Sequence, residues 1–163
     1  MTCRLLKTVC LVVLAFIASA CSRNSADSHH QQVDAGDAAM NSAIETARST
    51  TGKFVAAFRD RPPGSANFYV KKPFRVRDGK WEHMWVEVLS MQNDVMTGRV
   101  ANEAQETTEV KLGDLVKVRL SEISDWKYNN GRKLVGGYTI RYFIERMTPA
   151  QRAEFLKSAD FEL

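Results

Sequence analysis

The chain contains few of the residues on which metal sites and thiol chemistry depend. Its three cysteines are Cys3, Cys10 and Cys21, and His83 is the one histidine beyond residue 30. Removal of an N-terminal segment that ends before Cys21 would leave no two thiols to form a disulfide. Zinc sites need three or four nitrogen, sulfur or carboxylate ligands, and His83 offers one. We therefore expect neither a metal nor another cofactor.

The chain also has only a small excess of positive charge. Lys and Arg number 23 against 19 Asp and Glu, and two of the basic residues, Arg4 and Lys7, lie near the N-terminus. Without these two the count is 23 − 2 = 21 against 19, a net charge of +2. A charge this small gives no support for a nucleic-acid partner, and we expect none.

One segment indicates where the protein works. Residues 9–20 form an apolar run that follows Arg4 and Lys7 and ends in Ala18-Ser19-Ala20, directly before Cys21. A basic start, a short apolar run and small residues at the cut are typical of a secretory signal peptide. A cysteine directly after the cut is typical of a bacterial lipoprotein. We therefore predict a signal peptide at residues 1–20 and a lipid-anchored protein, held at the outer membrane and facing the periplasm.

The remaining chain divides into a tether and one domain. Residues 21–36 begin with the lipidated Cys21 and are polar, which predicts a flexible tether. Residues 37–163 are long enough for one α+β domain with a core of its own.

The first part of this domain has helical periodicity. Asp37 can cap a helix, and Pro62-Pro63-Gly64 must end it. Thr50, Thr51 and Gly52 weaken the middle, so the segment is either two helices or one bent helix. The apolar positions follow steps of four and three residues: Met40, Ile44, Ala47, Thr51, Phe54 and Phe58.

In the rest of the domain apolar residues alternate with other residues, as they do in β-strands. Pro73 in the first strand predicts a sheet edge or a bulge. Asn130-Gly131 predicts a tight hairpin, and Thr148 with Gln151 predicts a capping box that starts a C-terminal helix. The expected architecture is an N-terminal helix packed on a small, strongly bent antiparallel sheet or partly open barrel, closed by a short C-terminal helix. The predicted extended segments are 68–76, 82–89, 95–100, 115–120, 123–129 and 132–144.

Several clusters, in this order and spacing, resemble the bacterial family catalogued as domain of unknown function 2314. The resemblance covers roughly residues 40–145. It implies a small α+β module, often in the cell envelope, and it implies no catalytic residues because the family has no established activity. The clusters are residues 70–74 (VKKPF), 82–86 (EHMWV), 111–114 (KLGD), 123–126 (ISDW) and 136–141 (GGYTIR).

The most reactive group in the domain is His83. It could serve as a general base with Glu82 or Asp125, and Ser124 could complete a Ser/His/Asp arrangement. Neighbours in a strand point to opposite faces, however, so Glu82 and His83 do not share a pocket without a bulge. No sequence typical of a nucleophile elbow supports the triad. A small envelope hydrolase that uses His83 is therefore the second hypothesis.

The first hypothesis is a binding protein without catalysis. Aromatic and arginine side chains dominate binding hot spots, and Trp85 lies opposite the apolar face of its strand. We expect an immunity or inhibitor protein that neutralises a toxin or hydrolase attacking the envelope. A housekeeping protein that binds peptidoglycan or another lipoprotein is a further alternative. The candidate partner-binding residues are Trp85, Tyr138, Arg141, His83 and Asp125.

Overall fold

The computed structural model describes residues 37–163. The predicted signal peptide, Cys21 and the tether lie outside the described residues. Within 37–163, no helix has both the length and the apolar character that crossing a membrane requires.

Two consecutive helices open the described chain. Helix α1 spans Ala38–Ser49, and the Asp37 carboxylate caps it by accepting hydrogen bonds from the Ala39 and Met40 amides, each at 2.9 Å. Helix α2 spans Thr51–Asp60. Thr50 separates them, and its hydroxyl donates to the Thr46 carbonyl at 2.7 Å, a local bond that competes with helix continuation. The sequence left open two helices or one bent helix, and the structure has two helices.

Six strands form a single antiparallel sheet that is not closed into a barrel. The spatial order is β4-β3-β2-β1-β5-β6, so the hairpin β5–β6 lies beside β1 rather than beside β4. The chain crosses from β4 to β5 through a short 3-10 helix at Leu120–Glu122, and a second one lies at Arg77–Gly79. The strands are β1 Ser65–Arg75, β2 Trp81–Gln92, β3 Val95–Val100, β4 Leu115–Arg119, β5 Asp125–Asn130 and β6 Lys133–Gly136.

Helices α1 and α2 pack on one face of this sheet, which we call the inner face. Phe54 of α2 contacts the rings of Phe68 and Trp126, with centroids 5.7 Å apart in both pairs. The Trp126 indole N–H also donates to the Ala47 carbonyl of α1 at 2.9 Å, which satisfies its one polar group inside the core. The predicted alternation is confirmed, because buried apolar residues of strands β1 to β5 lie on this face: Phe68, Val70, Val86, Val88, Met96, Val118 and Trp126.

Two local predictions need correction. Pro73 lies in β1, which is a central strand and not an edge. Its place is nevertheless tolerated, because pairing between β1 and β5 ends at Lys71↔Asp125, so that Pro73 has a paired neighbour on the β2 side only. The strand predicted at 132–144 ends at Gly136, and a helix follows it.

That helix, α3, spans Tyr138–Arg146, and α4 spans Pro149–Ser158. The capping box predicted for α4 is confirmed, since the Thr148 hydroxyl accepts from the Gln151 amide and the Gln151 side chain accepts from the Thr148 amide. After α4 the chain returns to the edge of β6, where the Leu134 amide donates to the Glu162 carbonyl at 2.7 Å.

The contact between Asp37 and α3 gives a first prediction. The Tyr142 hydroxyl donates to the Asp37 carboxylate at 2.5 Å, and this bond, followed by the Met40 amide, lowers the pKa of Asp37 below its usual 3.8. A lowered pKa adds stability above the ordinary pKa, and this stability is lost as pH falls through the folded value. We expect Asp37→Asn to reduce the loss of melting temperature between about pH 5 and pH 3, measured by circular dichroism. Tyr142→Phe should reduce it as well, and unchanged pH profiles in both variants would contradict the assignment.

Candidate functional site

The face of the sheet opposite helices α1 and α2, which we call the outer face, carries two of the predicted site residues, Trp85 and His83. Side chains that are directly paired across antiparallel strands share a face. The register therefore places Leu115, Arg99, Glu87, Tyr69 and Lys127 in one row across five strands, β4 to β5. Lys71 and Trp85 form the next row, and His83 lies opposite Pro73 in the row after that.

Trp85 lies between two lysines on this face. The ammonium groups of Lys71 and Lys127 are 5.2 and 5.7 Å from the centre of its ring. Lys127 also lies 4.9 Å from the ring of Tyr69 and 5.2 Å from that of Phe161, with the Asp160 carboxylate at 3.9 Å. Aromatic rings attract cations through the negative charge of their faces. Trp85 is thus half-buried and lies beside two lysines, whereas Trp81 on the same face is 54% accessible.

His83 does meet a serine, but the serine is inaccessible. Its Nδ1 is 2.8 Å from the Ser124 hydroxyl oxygen, and Ser124 is entirely buried. The same hydroxyl donates to the Lys71 carbonyl at 3.2 Å. Both bonds are satisfied when the imidazole Nδ1–H donates to the serine oxygen, and in this tautomer Nδ1 cannot take the proton of the Ser124 hydroxyl. Burial, and then the charges of Lys71 and Arg48, lower the pKa of His83 to about 4, so the imidazole is neutral at pH 7.

Asp125 is a structural carboxylate. It is fully buried, and its oxygens accept from the amides of Trp126, Tyr138 and Thr139 and from the Thr139 hydroxyl at 2.6–3.2 Å. The donors from Tyr138 and Thr139 lie at the N-terminus of α3, where a negative charge is favoured. Burial raises the pKa of Asp125, and the bonds from Thr139 and the charge of Lys71 oppose this. The Asp125 carboxylate therefore occupies the site at the N-terminus of α3 where an anion could otherwise bind.

Glu82 faces away from His83, as the alternation predicted. It lies on the inner face, where its carboxylate accepts from the amides of Gln105, Glu106 and Thr107 at 2.8–3.0 Å. These bonds fix the irregular segment between β3 and β4. Glu82 therefore cannot orient His83.

The predicted contacts Tyr138 and Arg141 belong to α3 and not to a strand. The Tyr138 ring packs edge-on against Trp126 at 5.7 Å, and its hydroxyl shares a hydrogen bond with the Thr50 hydroxyl at 3.1 Å. The Arg141 guanidinium donates to the carbonyls of Gly136 and Leu134 at 3.1 and 2.9 Å. Both side chains serve contacts within the domain, and the structure does not bring them together with Trp85.

A cleft that the sequence analysis missed lies on the flank of the two helices. It has a volume of about 410 Å³. Four of its residues, Arg48, Gly52, Val55 and Arg59, follow steps of four, three and four, so helical spacing could have revealed this wall. The other wall comes from distant parts of the chain and had no sequence signal. The remaining lining residues are Thr51, Asp94, Leu120 and Ser121.

Within residues 37–163 no group of three or more His, Cys, Asp or Glu side chains is placed to hold a metal ion. The described chain therefore presents three features: a buried His–Ser pair, an outer face with aromatic and basic residues, and the cleft.

Comparison with known proteins assigns the family. The model of a family described as "Uncharacterized protein conserved in bacteria (DUF2314)" matches residues 37–163. The chain belongs to this family. The resemblance inferred from the sequence clusters is thus confirmed.

Two relatives are similar over most of the described domain. The chain is 35% identical over 102 residues to the uncharacterized protein YegJ of Escherichia coli K12, which covers 63% of this chain and 65% of YegJ. It is 33% identical over 136 residues to the putative ankyrin repeat protein NMB1133/NMB1171 of Neisseria meningitidis serogroup B, which covers 78% of this chain. The chain spans only 53% of that second relative. No solved structure matches the chain.

Proposed function

We propose that this protein is a non-catalytic binding module, a lipoprotein that faces the periplasm. Most concretely, it acts as an immunity or inhibitor protein that neutralises a toxin or hydrolase attacking the envelope. The observation that carries the proposal is the state of the candidate catalytic groups. Ser124 and Asp125 are fully buried, whereas a nucleophile must reach its substrate.

The outer face supplies the chemistry that a protein partner needs. Trp81, Leu89 and Leu115 are 54%, 45% and 64% accessible, and they lie on strands β2 and β4. The Arg75 guanidinium lies 5.6 Å from the centre of the Trp81 ring, and Arg99 pairs with Leu115. Aromatic and arginine side chains on a rigid scaffold are enriched at protein interfaces. The outer face is therefore the surface proposed for the partner.

The Neisseria relative is consistent with a binding role. Its name describes a putative ankyrin repeat protein, and this domain aligns with about half of it. Ankyrin arrays present extended binding surfaces. A relative named for such repeats supports the proposal of a recognition module rather than an isolated enzyme.

The experiment is affinity capture from envelope extract with the full chain as bait, followed by quantitative mass spectrometry. We compare the wild type with the double variant Trp81→Ala, Arg99→Glu on the outer face. Arg152→Glu on α4, an exposed position, is the matched control. We expect one envelope-directed enzyme or toxin to be enriched with the wild type and the control, and lost with the double variant.

The captured protein is then assayed for its own activity. Inhibition by the wild type and not by the double variant would support the inhibitor role. Capture that the double variant retains, or a captured enzyme that stays fully active in the complex, would overturn it.

The hydrolase alternative rests on the 2.8 Å contact between His83 and Ser124. It predicts an activity of the chain alone towards an ester or peptide substrate that Ser124→Ala abolishes. An unchanged rate in Ser124→Ala would exclude this alternative.

A further inference from the structure

The positive charge of the domain is concentrated on the outer face. Residues 37–163 contain 20 Lys and Arg against 17 Asp and Glu, a net charge of +3. Six basic side chains of the strands lie on the outer face, with one acidic side chain that reaches solvent there, Glu87. The rest of the described domain is left with 14 basic and 16 acidic residues. The six basic residues are Lys71, Arg75, Arg99, Lys117, Arg119 and Lys127.

Three of these residues form a row near the β4 edge of the sheet, which we call the basic row. Arg99 of β3 pairs with Leu115 of β4, and Lys117 and Arg119 follow Leu115 at alternate positions. The three basic side chains are exposed, and none of the ion pairs within the described residues involves them. Alternate residues of a strand, and diagonal neighbours on two strands, are separated by about 7 Å. The basic row therefore presents three cations at steps of about 7 Å.

The edge of β4 beside the basic row is occupied by side chains of the domain. The Arg119 amide donates to the Glu122 carboxylate at 2.8 Å, and the Lys72 ammonium group donates to the Lys117 carbonyl at 3.4 Å. Lys72 and Glu122 also form an ion pair at 3.0 Å. These bonds use backbone groups that a strand added to β4 would need. They favour a ligand that lies over the outer face rather than beside β4.

The surface around the basic row suits a peptide chain. Lys117 and Arg119 line a groove of about 500 Å³, to which Val95 and Thr97 of β3 also contribute. Leu115, at the other end of the row, is 64% accessible. Apolar and basic side chains thus alternate along the groove. This pattern suits a segment that carries both carboxylates and apolar groups better than it suits a small anion.

Glu87 distinguishes a protein partner from an anionic membrane. It lies directly opposite Arg99 and is half-buried, and the two side chains form no ion pair. A layer of anionic headgroups would repel this carboxylate. A folded partner can instead place a neutral or basic side chain against it, as complementary interfaces do. The charge pattern therefore favours a protein.

We propose that the basic row binds an extended acidic segment of the partner protein, with carboxylates at alternate positions. Side chains on one side of an extended segment are about 7 Å apart, which matches the step of the basic row. Three carboxylates of the segment contact Arg99, Lys117 and Arg119. This inference rests on the proposed function, since it takes the partner to be a protein bound at the outer face.

Two blocked peptides of equal composition test the spacing. Glu-Thr-Glu-Thr-Glu places three carboxylates on one side of an extended chain, whereas Glu-Glu-Glu-Thr-Thr places only two there. Blocked Gln-Thr-Gln-Thr-Gln is the control for charge. Each peptide is titrated into the full chain at low ionic strength and followed by amide shifts in NMR.

We expect the alternating peptide to bind with a Kd of about 1–10 mM, because exposed ion pairs are individually weak. It should shift the amides of residues 97–99 and 115–119. The peptide with consecutive glutamates should bind at least about threefold more weakly, and the glutamine peptide should not bind measurably. Added salt should weaken binding of the alternating peptide, because salt screens exposed charges.

Charge reversal locates the site. The double variant Lys117→Glu, Arg119→Glu should weaken binding of the alternating peptide at least about tenfold, because it turns attraction into repulsion. Arg152→Glu on α4 is the matched control and should bind normally. All three positions are exposed, so the variants should keep the melting temperature of the wild type.

Equal binding of the two acidic peptides, or binding that the double variant retains, would overturn the proposal. Vesicles of phosphatidylglycerol and phosphatidylethanolamine test the membrane instead. We expect the wild type and the double variant to bind them equally. Weaker vesicle binding by the double variant, with no binding of the alternating peptide, would assign the basic row to the membrane and overturn the proposal.

The partner captured from envelope extract separates this inference from the proposed function. A partner that is lost with Trp81→Ala, Arg99→Glu but retained with Lys117→Glu, Arg119→Glu would overturn the acidic segment and support the proposed function. Binding of the alternating peptide at the basic row, without capture of any envelope-directed enzyme or toxin, would support the site and count against the inhibitor role.

Discussion

Replacing Asp125 by alanine is expected to destabilise the domain by about 3–5 kcal/mol, because it leaves buried donors without an acceptor. The amides of Tyr138 and Thr139 and the Thr139 hydroxyl all donate to this carboxylate. They connect the start of β5 to the start of α3. The free energy of unfolding, measured by urea denaturation at pH 7, tests this expectation.

Two variants serve as controls for Asp125. Asp60→Ala removes an exposed carboxylate at the end of α2 and should change stability by less than about 0.5 kcal/mol. Asp125→Asn keeps the shape and one acceptor but turns an amide N–H₂ towards the donors of α3, so its loss should lie between the other two. A loss below about 1 kcal/mol for Asp125→Ala would show that the carboxylate does not hold α3 in place.

Local features of the sequence predicted the elements whose causes are local. The Asp37 cap, the Thr148 capping box and the Asn130-Gly131 hairpin each depend on residues within a few positions of one another, and all three are confirmed. The burial of Met84, Val86 and Val88 on one face could likewise be predicted from the two-residue period of a β-strand alone.

The start of α3 could not be predicted in this way. Gly136 lies against Trp126, where a Cβ atom would be 2.4 Å from the Trp126 carbonyl oxygen, and Gly137 has a φ of +65°. The helix that follows is capped by Asp125, 13 or 14 residues earlier in the chain. Because these partners come together only in the folded sheet, the alternating pattern of residues 132–144 taken alone predicts a strand.

The candidate site could likewise be predicted from the sequence only where its causes are local. Strand alternation correctly separated Glu82 from His83 and placed Trp85 opposite the core. It could not show that lysines from β1 and β5 lie beside Trp85, or that Ser124 is buried. The cleft combines α1 and α2 with residues 94 and 120–121, and such a combination exists only in three dimensions.

Gly98→Ala is expected to destabilise the domain about as much as Asp125→Ala does. The cause is a steric clash with the neighbouring strand and not a change in helix or strand propensity. Gly98 lies in β3 opposite Val88, beside the irregularity of β2 between Val88 and Ser90. A Cβ atom here would be 2.3 Å from the Glu87 carbonyl oxygen and 2.6 Å from a methyl of Val86. The first contact is with the backbone of β2, an interior strand held on both sides, so it cannot move aside cheaply.

We expect Gly98→Ala to lower the free energy of unfolding by about 3 kcal/mol or more, measured by urea denaturation. Gly52→Ala is the matched control, because it makes the same chemical change where the new methyl group meets nothing within 4 Å. That variant should gain up to about 1 kcal/mol through its better helix propensity. If the free energy of unfolding falls in Gly98→Ala and rises in Gly52→Ala, the close approach of β2 is what requires glycine at position 98. No such packing contact requires glycine at position 52. Equal effects would contradict both the register of β2 and β3 and the open space beside Gly52.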